Sequence, residues 1–277
     1  MSYKTILVHC DASKSVSHRL DVATNLAQRF GARLVGLHVR RRFETSIFLD
    51  GGFAMDDFFN IYDEGVKADE TEARAAFTKT TTKGQELTTE WRAVDGYVDS
   101  ELAVQARYAD LVVAGQAGPE PTATPSDLPE TVALTTGRPV LVMPFIGAKP
   151  PGKIVLLCWN ASREAARAAA DALPFLKAAQ KVIVLVVNPT VSAEGHGAEP
   201  GADAAAWLAR HGVKVIVQRD VAPDADVGGV ILSRAADHDA DLIVMGIYGH
   251  SRMREMVLGG ASRTLLARMT VPVFMSH

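Results

Sequence analysis

Hydrophobic residues fall in short continuous runs along this chain, and most runs hand over to a stretch with helical spacing. Ile6-Leu-Val8 opens the series and ends in His9-Cys10-Asp11-Ala-Ser13. Leu20, Ala23, Leu26, Ala27 and Phe30 then share one helical face, with Gly31 as the stop and Ser13 as the expected N-cap. A second strand is predicted at 33–39. Residues 40–60 read as irregular, and a helix follows at 61–84. Then come a strand at 90–94, a helix at 98–108, a strand at 110–114, a proline-rich loop at 119–129, a short helix and a strand at 139–143. The strands are apolar throughout rather than alternating, the signature of parallel strands buried on both faces.

The pattern then starts again. Gly147-Ala-Lys-Pro-Pro-Gly152 reads as a linker, and Lys153-Ile-Val-Leu-Leu157 as a new first strand. Cys158-Trp-Asn160-Ala-Ser162 lines up with Cys10-Asp11-Ala-Ser13 at an offset of 149. A helix at 163–177, with Ala166, Ala169, Ala170, Leu173 and Leu176 inward, leads to a strand at 181–187. A shorter helix, a strand at 213–218 and a helix at 226–239 follow. Ala-Asp241-Leu-Ile-Val matches Ala-Asp110-Leu-Val-Val at an offset of 131, and Pro272-Val-Phe matches Pro139-Val-Leu at 133. The predicted fold class is therefore α/β: two tandem doubly wound parallel-sheet domains, at 1–147 and 148–277. In such sheets the ligand crevice lies at the carboxyl ends of the strands where strand order reverses. Asp11 and Gly115 flank that point in the first copy, and Asn160 and Gly246 in the second.

Composition narrows the field. With 48% hydrophobic and 22% charged residues the chain is globular, and a net charge of −3 gives no general attraction to nucleic acid or anionic membrane. Two cysteines, Cys10 and Cys158, exclude a disulfide scaffold and suit a cytoplasmic protein. The start reads directly as a strand, without a signal segment, and no run approaches the roughly 20 apolar residues of a membrane span.

The most informative stretch follows the apolar run Asp241-Leu-Ile-Val-Met245 and reads Gly246-Ile-Tyr-Gly249-His250-Ser-Arg252-Met-Arg254-Glu-Met-Val-Leu-Gly259-Gly260-Ala-Ser262. Strand, glycine-rich loop and helix start converge unpaired N–H groups and a helix dipole on one point, a geometry suited to phosphate. This pattern, the first strand ending in a small acidic turn and the closing Pro-Val strand together resemble the universal stress protein family, as a tandem two-domain member over the whole chain. The resemblance implies a sheet of order 3-2-1-4-5 in each domain (the adenine nucleotide alpha hydrolase-like arrangement), with the two fifth strands meeting. It also implies that some members hold ATP in the crevice and others hold none.

Carried onto the second domain, the resemblance places Asn160 where an acidic residue contacts adenosine and Val187 at the strand exit that meets adenine. Gly246, Gly249, His250, Gly259 and Gly260 line the phosphate end, Ala261 and Ser262 form the first helical turn, and Arg252 is the candidate for direct charge on the phosphates. Asn160 accepts a hydrogen bond without a carboxylate's charge, and Gly260 stands at the family's hydroxyl position. The first copy departs further: at the offset of 133, Asp127 falls on Gly260 and Pro129 on Ser262. A carboxylate at that helix start repels phosphate, and Asp127 is expected to act as an N-cap instead.

Plainer readings stand beside these. Asp11 is an adenosine contact or a turn residue, and His250 touches phosphate or sits exposed. The apolar stretch 45–62 is core cover, a lid or a partner patch, and Arg40-Arg41-Arg42 faces solvent. The histidines show no metal-ligand spacing. No catalytic set is found, and the loop lacks the Gly-Lys-Ser/Thr of a P-loop hydrolase, which leaves a weak ATPase at most. The expected ligand is ATP or a related adenine nucleotide, with Mg2+ only if carried by it; a homodimer or protein partner is compatible, nucleic acid and membrane are not. The alternative is a structural or interaction protein with both crevices vestigial.

Overall fold

The computed structural model describes residues 2–42, 55–82, 87–118, 124–189, 198–247 and 260–277. The first half runs β1 (Thr5–His9), α1 (Val16–Phe30), β2 (Arg33–Arg41), α2 (Met55–Thr81), β3 (Thr89–Gly96), α3 (Val98–Ala106), β4 (Leu111–Gly115), α4 (Leu128–Thr136) and β5 (Val140–Met143). The second runs β6 (Ile154–Cys158), α5 (Arg163–Asp171), α6 (Leu173–Ala178), β7 (Lys181–Val187), α7 (Ala202–Arg210), β8 (Val215–Asp220), α8 (Val227–Asp237), β9 (Leu242–Gly246), α9 (Ala261–Arg268) and β10 (Val273–Ser276).

All ten strands join one sheet in the order β3-β2-β1-β4-β5-β10-β9-β6-β7-β8, two 3-2-1-4-5 arrays placed back to back. Pairing within each array is parallel, and the seam is antiparallel, with Val142 opposite Val273 and Val140 opposite Met275. Because successive strand residues point to opposite faces, Ile6 and Val8 enter a layer packed by α1, α2, α5, α6 and α7, while Leu7 enters the layer of α3, α4, α8 and α9. Each layer runs across the seam.

The repeat is visible in the hydrogen bonds. The Asp110 carboxylate accepts from the backbone N–H groups of Lys4 (2.7 Å) and Thr5 (2.9 Å). Asp241 does the same for Gly152 (2.8 Å), Lys153 (3.0 Å) and Ile154 (3.2 Å). Each carboxylate thereby ties the start of a fourth strand to the start of a first.

Several local expectations are revised. The helix expected at 61–84 begins at Met55, so much of the 45–62 stretch is helical; residues 45–54 lie outside the described residues. The helix expected at 163–177 breaks at Ala172, since Pro174 cannot donate into the preceding turn. Its buried face is Ala165, Ala168 and Ala169; Ala166 and Ala170 are exposed. A run so rich in alanine carries little periodic signal, and the cap at Ser162 sets the phase instead. Ser13 does not cap α1: its hydroxyl donates to Asp11 (2.6 Å), and the N-cap position falls to Ser15. Asp127 does occupy the N-cap position of α4, but its side chain makes no capping bond. Arg40 is half-buried, bonded to Glu70 and Asp95, whereas Arg41 and Arg42 are exposed.

Candidate functional site

In the second half the strand exits gather around the point where β6 and β9 part. Trp159 N–H bonds Leu185 O (2.8 Å), which sets Asn160 beside the exit of β7 at Val187. Asn160 is exposed, and its Oδ1 accepts from Ser162 N–H (3.2 Å) in a turn that leads into α5. Ser162 caps α5, its Oγ accepting from Ala165 N–H (3.1 Å).

Two non-glycine residues at these exits adopt left-handed backbone: Ala161 (φ 59°) and Asn188 (φ 49°). Left-handed backbone is unfavourable for an alanine and easier for asparagine. Asn188 is fixed by its side chain, which accepts from Ala222 N–H (2.6 Å) and donates to Ala222 O (3.0 Å), joining the exits of β7 and β8. The first half contains no such residue among those described.

Gly246 ends β9 against the start of α5. A Cβ there would lie 2.4 Å from Glu164 C and 2.5 Å from Ala165 N, so glycine is required for the backbones to approach. The right-handed crossover from β9 to β10 sets the start of α9 at the same end of the sheet. That start is Gly260, and no side chain caps it. Ala261 is half-buried and Ser262 is buried. Gly249, His250, Arg252 and Gly259 lie outside the described residues.

One residue here escaped sequence reasoning. Glu164 is only 4% exposed and pairs with the exposed Arg163. Burial alone would raise its pKa, but the hydrogen bond from Arg163 and nearby donors bring it below the ordinary value. The backbone of Glu164 packs against Gly246, and its carboxylate is paired with Arg163.

The first crevice is built differently. Asp11 Oδ1 accepts from Ser13 N–H (3.2 Å), Ser13 Oγ (2.6 Å) and Arg19 Nη2 (2.6 Å), while Oδ2 accepts from Thr124 Oγ1 (3.1 Å). The turn reading of Asp11 is correct but incomplete. Arg19, 2% exposed, crosses beneath the exit of β4, where a Cβ on Gly115 would lie 2.1 Å from its Nη1. At the repeat offset of 149 its counterpart is Ala168. A lone arginine where the second copy has alanine was the available signal.

Burial would raise the Asp11 pKa, yet the Arg19 guanidinium, with His9 and Ser13, holds it well below the usual carboxylate range. Burial pushes His9 down to about 4, partly opposed by Asp11 3.8 Å away. Burial raises both Cys10 and Cys158 to about 12, which leaves them as unreactive thiols at neutral pH. Among the described residues no group of three or more His, Cys, Asp or Glu side chains converges, and no helix is long and apolar enough to cross a membrane.

The comparisons with known proteins accord with this architecture. The model of the universal stress protein family matches residues 152–277. A universal stress protein from Archaeoglobus fulgidus DSM 4304 is 17% identical with a TM-score of 0.71, the match covering 98% of this chain and 95% of that one. A putative universal stress protein from Pseudomonas aeruginosa UCBPP-PA14 is also 17% identical, with a TM-score of 0.60 and coverages of 99% and 93%. At such identities the likeness concerns the fold. No curated protein matches the chain. Residues 152–277 thus match the universal stress protein family, and along its whole length the chain shares the fold of universal stress proteins of known structure.

Proposed function

We propose that this is a nucleotide-responsive regulatory protein of two units, 1–147 and 148–277, in which the second unit takes ATP or a related adenine nucleotide. The observation that carries the reading is the uncapped start of α9 at Gly260, in a unit where any side chain on Gly246 at the exit of β9 would strike α5. Such a helix start retains N–H groups and a positive dipole end for an anion. Support also comes from the strand exits: Asn160 and Val187 stand side by side, and the left-handed Ala161 and Asn188 shape the rim. Val187 would lie against the base and Asn160 against a ribose hydroxyl. Gly249, His250, Arg252, Gly259, Gly260, Ala261 and Ser262 would surround the phosphates by the family resemblance. Mg2+ would arrive only with the nucleotide.

Binding rather than catalysis is the expected role, with a slow ATPase as the upper bound. A ligand-free interaction protein, with both crevices vestigial, is the second reading. It draws on Asn160, an exposed amide where the family resemblance places a carboxylate, whose Oδ1 is already engaged by Ser162 N–H.

Calorimetric titration with ATP separates the two. Wild type should bind, and Gly260→Asp, which installs the carboxylate that the first unit carries at Asp127, should weaken binding at least about tenfold. Equal affinity in both proteins, or no binding to wild type, would overturn the proposal.

A further inference from the structure

The helix that opens the second crevice is held from the first unit. α9 has eight residues and is about 12 Å long, so a displacement at one end is carried to the other. Its first turn lies against α8: a Cβ on Gly228 would stand 2.8 Å from Thr264 Cβ and 2.9 Å from Ala261 O. Gly260 O accepts from the N–H groups of Arg263 (2.9 Å) and Thr264 (3.3 Å), which leaves the N–H groups ahead of them without a partner inside the helix.

The other end has no stop of its own. α4, the counterpart in the first unit, closes on Gly137 in left-handed backbone (φ 64°). α9 instead runs into Met269 in extended backbone (φ −61°, ψ 138°), so its last carbonyls need partners elsewhere. Leu266 O finds one in Gln116 Nε2 (2.7 Å), on a side chain of the first unit that is 8% exposed. That amide is itself fixed. Its Oε1 accepts from Phe145 N–H (3.1 Å), and the backbone N–H of Gln116 donates to Met143 O (2.8 Å). With Oε1 so engaged, Nε2 is the atom turned to α9.

The arrangement is one-sided. At the offset of 131 that aligns Gly115 with Gly246, Gln116 falls on Ile247, which is fully buried and has no polar side-chain atom. The first unit therefore holds α9, and the matching residue of the second unit cannot hold α4 in return. Leu265 and Met269 also bury α9. Apolar contact is non-directional, however, whereas a hydrogen bond to a fixed amide sets the position of the helix along its axis.

We propose that Gln116 is a positioning residue for the second crevice: by holding the last turn of α9, it sets where the first turn meets a phosphate. The proposal rests on the nucleotide reading of that crevice. It gives the first unit, whose own helix start carries Asp127 and Pro129, a part in binding that needs no ligand of its own.

The test compares the full chain with Gln116→Met, whose side chain is of similar length and makes neither bond. Calorimetric titration should show ATP bound at least about threefold more weakly by the variant, while adenosine, which has no phosphates, binds both proteins alike. Without ligand, 15N–1H spectra should show the amides of Ala261 and Ser262 shifted in the variant, although they lie at the far end of the helix from the lost bond. Gln116→Ile, the residue that the second unit carries at this position, should act in the same way and serves where Gln116→Met fails to fold. Loss of ATP and adenosine affinity by the same factor would mark a merely structural role and overturn the proposal. An unchanged ATP affinity, or unmoved Ala261 and Ser262 amides, would also overturn it. Absence of ATP binding to wild type is instead the failure of the nucleotide reading, and the two amides then decide alone whether Gln116 sets the start of α9.

Discussion

At the scale of single residues, two buried groups in the first crevice set measurable properties. His9 is lowered from an ordinary 6.5 to about 4, so the unfolded chain takes up the proton first. Its contribution is fully present above pH 6.5 and is lost as pH falls towards 4, at up to about 1.4 kcal/mol per pH unit. Asp11 is also lowered, but from an ordinary 3.8, so its contribution is lost only below that value and the windows do not overlap. Urea midpoints measured between pH 7 and pH 4.5 should fall in wild type and fall less in His9→Gln; equal slopes would remove His9 as the cause. Arg19 makes a second contrast. Arg19→Ala leaves the Asp11 carboxylate without its buried partner and should cost about 3–5 kcal/mol, whereas Arg163→Ala, at an exposed side chain screened by solvent, should cost far less. Chemical denaturation of both variants gives the comparison.

At the scale of elements, the two copies reuse one sequence position for different work. Ser13 and Ser162 are equivalent by repeat, yet Ser162 caps α5 and Ser13 braces Asp11. Ser162→Ala should therefore lower stability by about 1 kcal/mol, while Ser15→Ala, at a cap position whose side chain makes no capping bond, should cost less than about half of that. Thermal unfolding of the two variants decides it. Most helices and strands could be read from apolar runs, glycine stops and the Asp226 cap of α8. The break at Ala172 was legible in Pro174 and was missed, because alanines on all sides of 163–172 hide the phase of the helix. The early start of α2 was not legible: its first residues lie in a stretch with aromatic residues and no stop signal.

At the scale of the molecule, the halves are joined by more than the antiparallel seam. Phe175 is fully buried against Tyr3 (5.8 Å), Phe30 (5.3 Å) and Phe274 (5.9 Å). Tyr3 donates to Asp171 O (2.8 Å), and Arg29 donates to Pro151 O (2.9 Å). The α6 segment released by Pro174 delivers Phe175 into this junction. Phe175→Ala should cost about 3–5 kcal/mol. Because the cluster belongs to both units, tryptophan signals from Trp91 and Trp207, one in each half, should shift to lower denaturant together. A shift confined to Trp207 would place the cluster's stabilising effect in the second unit alone.

The apolar runs, the repeat and the right-handed crossover rule are sufficient by themselves for two doubly wound parallel arrays, since burial on both sheet faces and chain chirality leave few other arrangements, while the order 3-2-1-4-5 followed from the family resemblance. The sequence also marked the second crevice, because a glycine loop before a helix start is a local signature. It did not mark what fills the first. Arg19 beneath Gly115, His9 beside Asp11 and Gln116 on Leu266, 150 residues away, are contacts between elements. Periodicity reports which face of an element is buried; only tertiary packing decides which distant atoms that face meets, and there a buried charge acquires its partner.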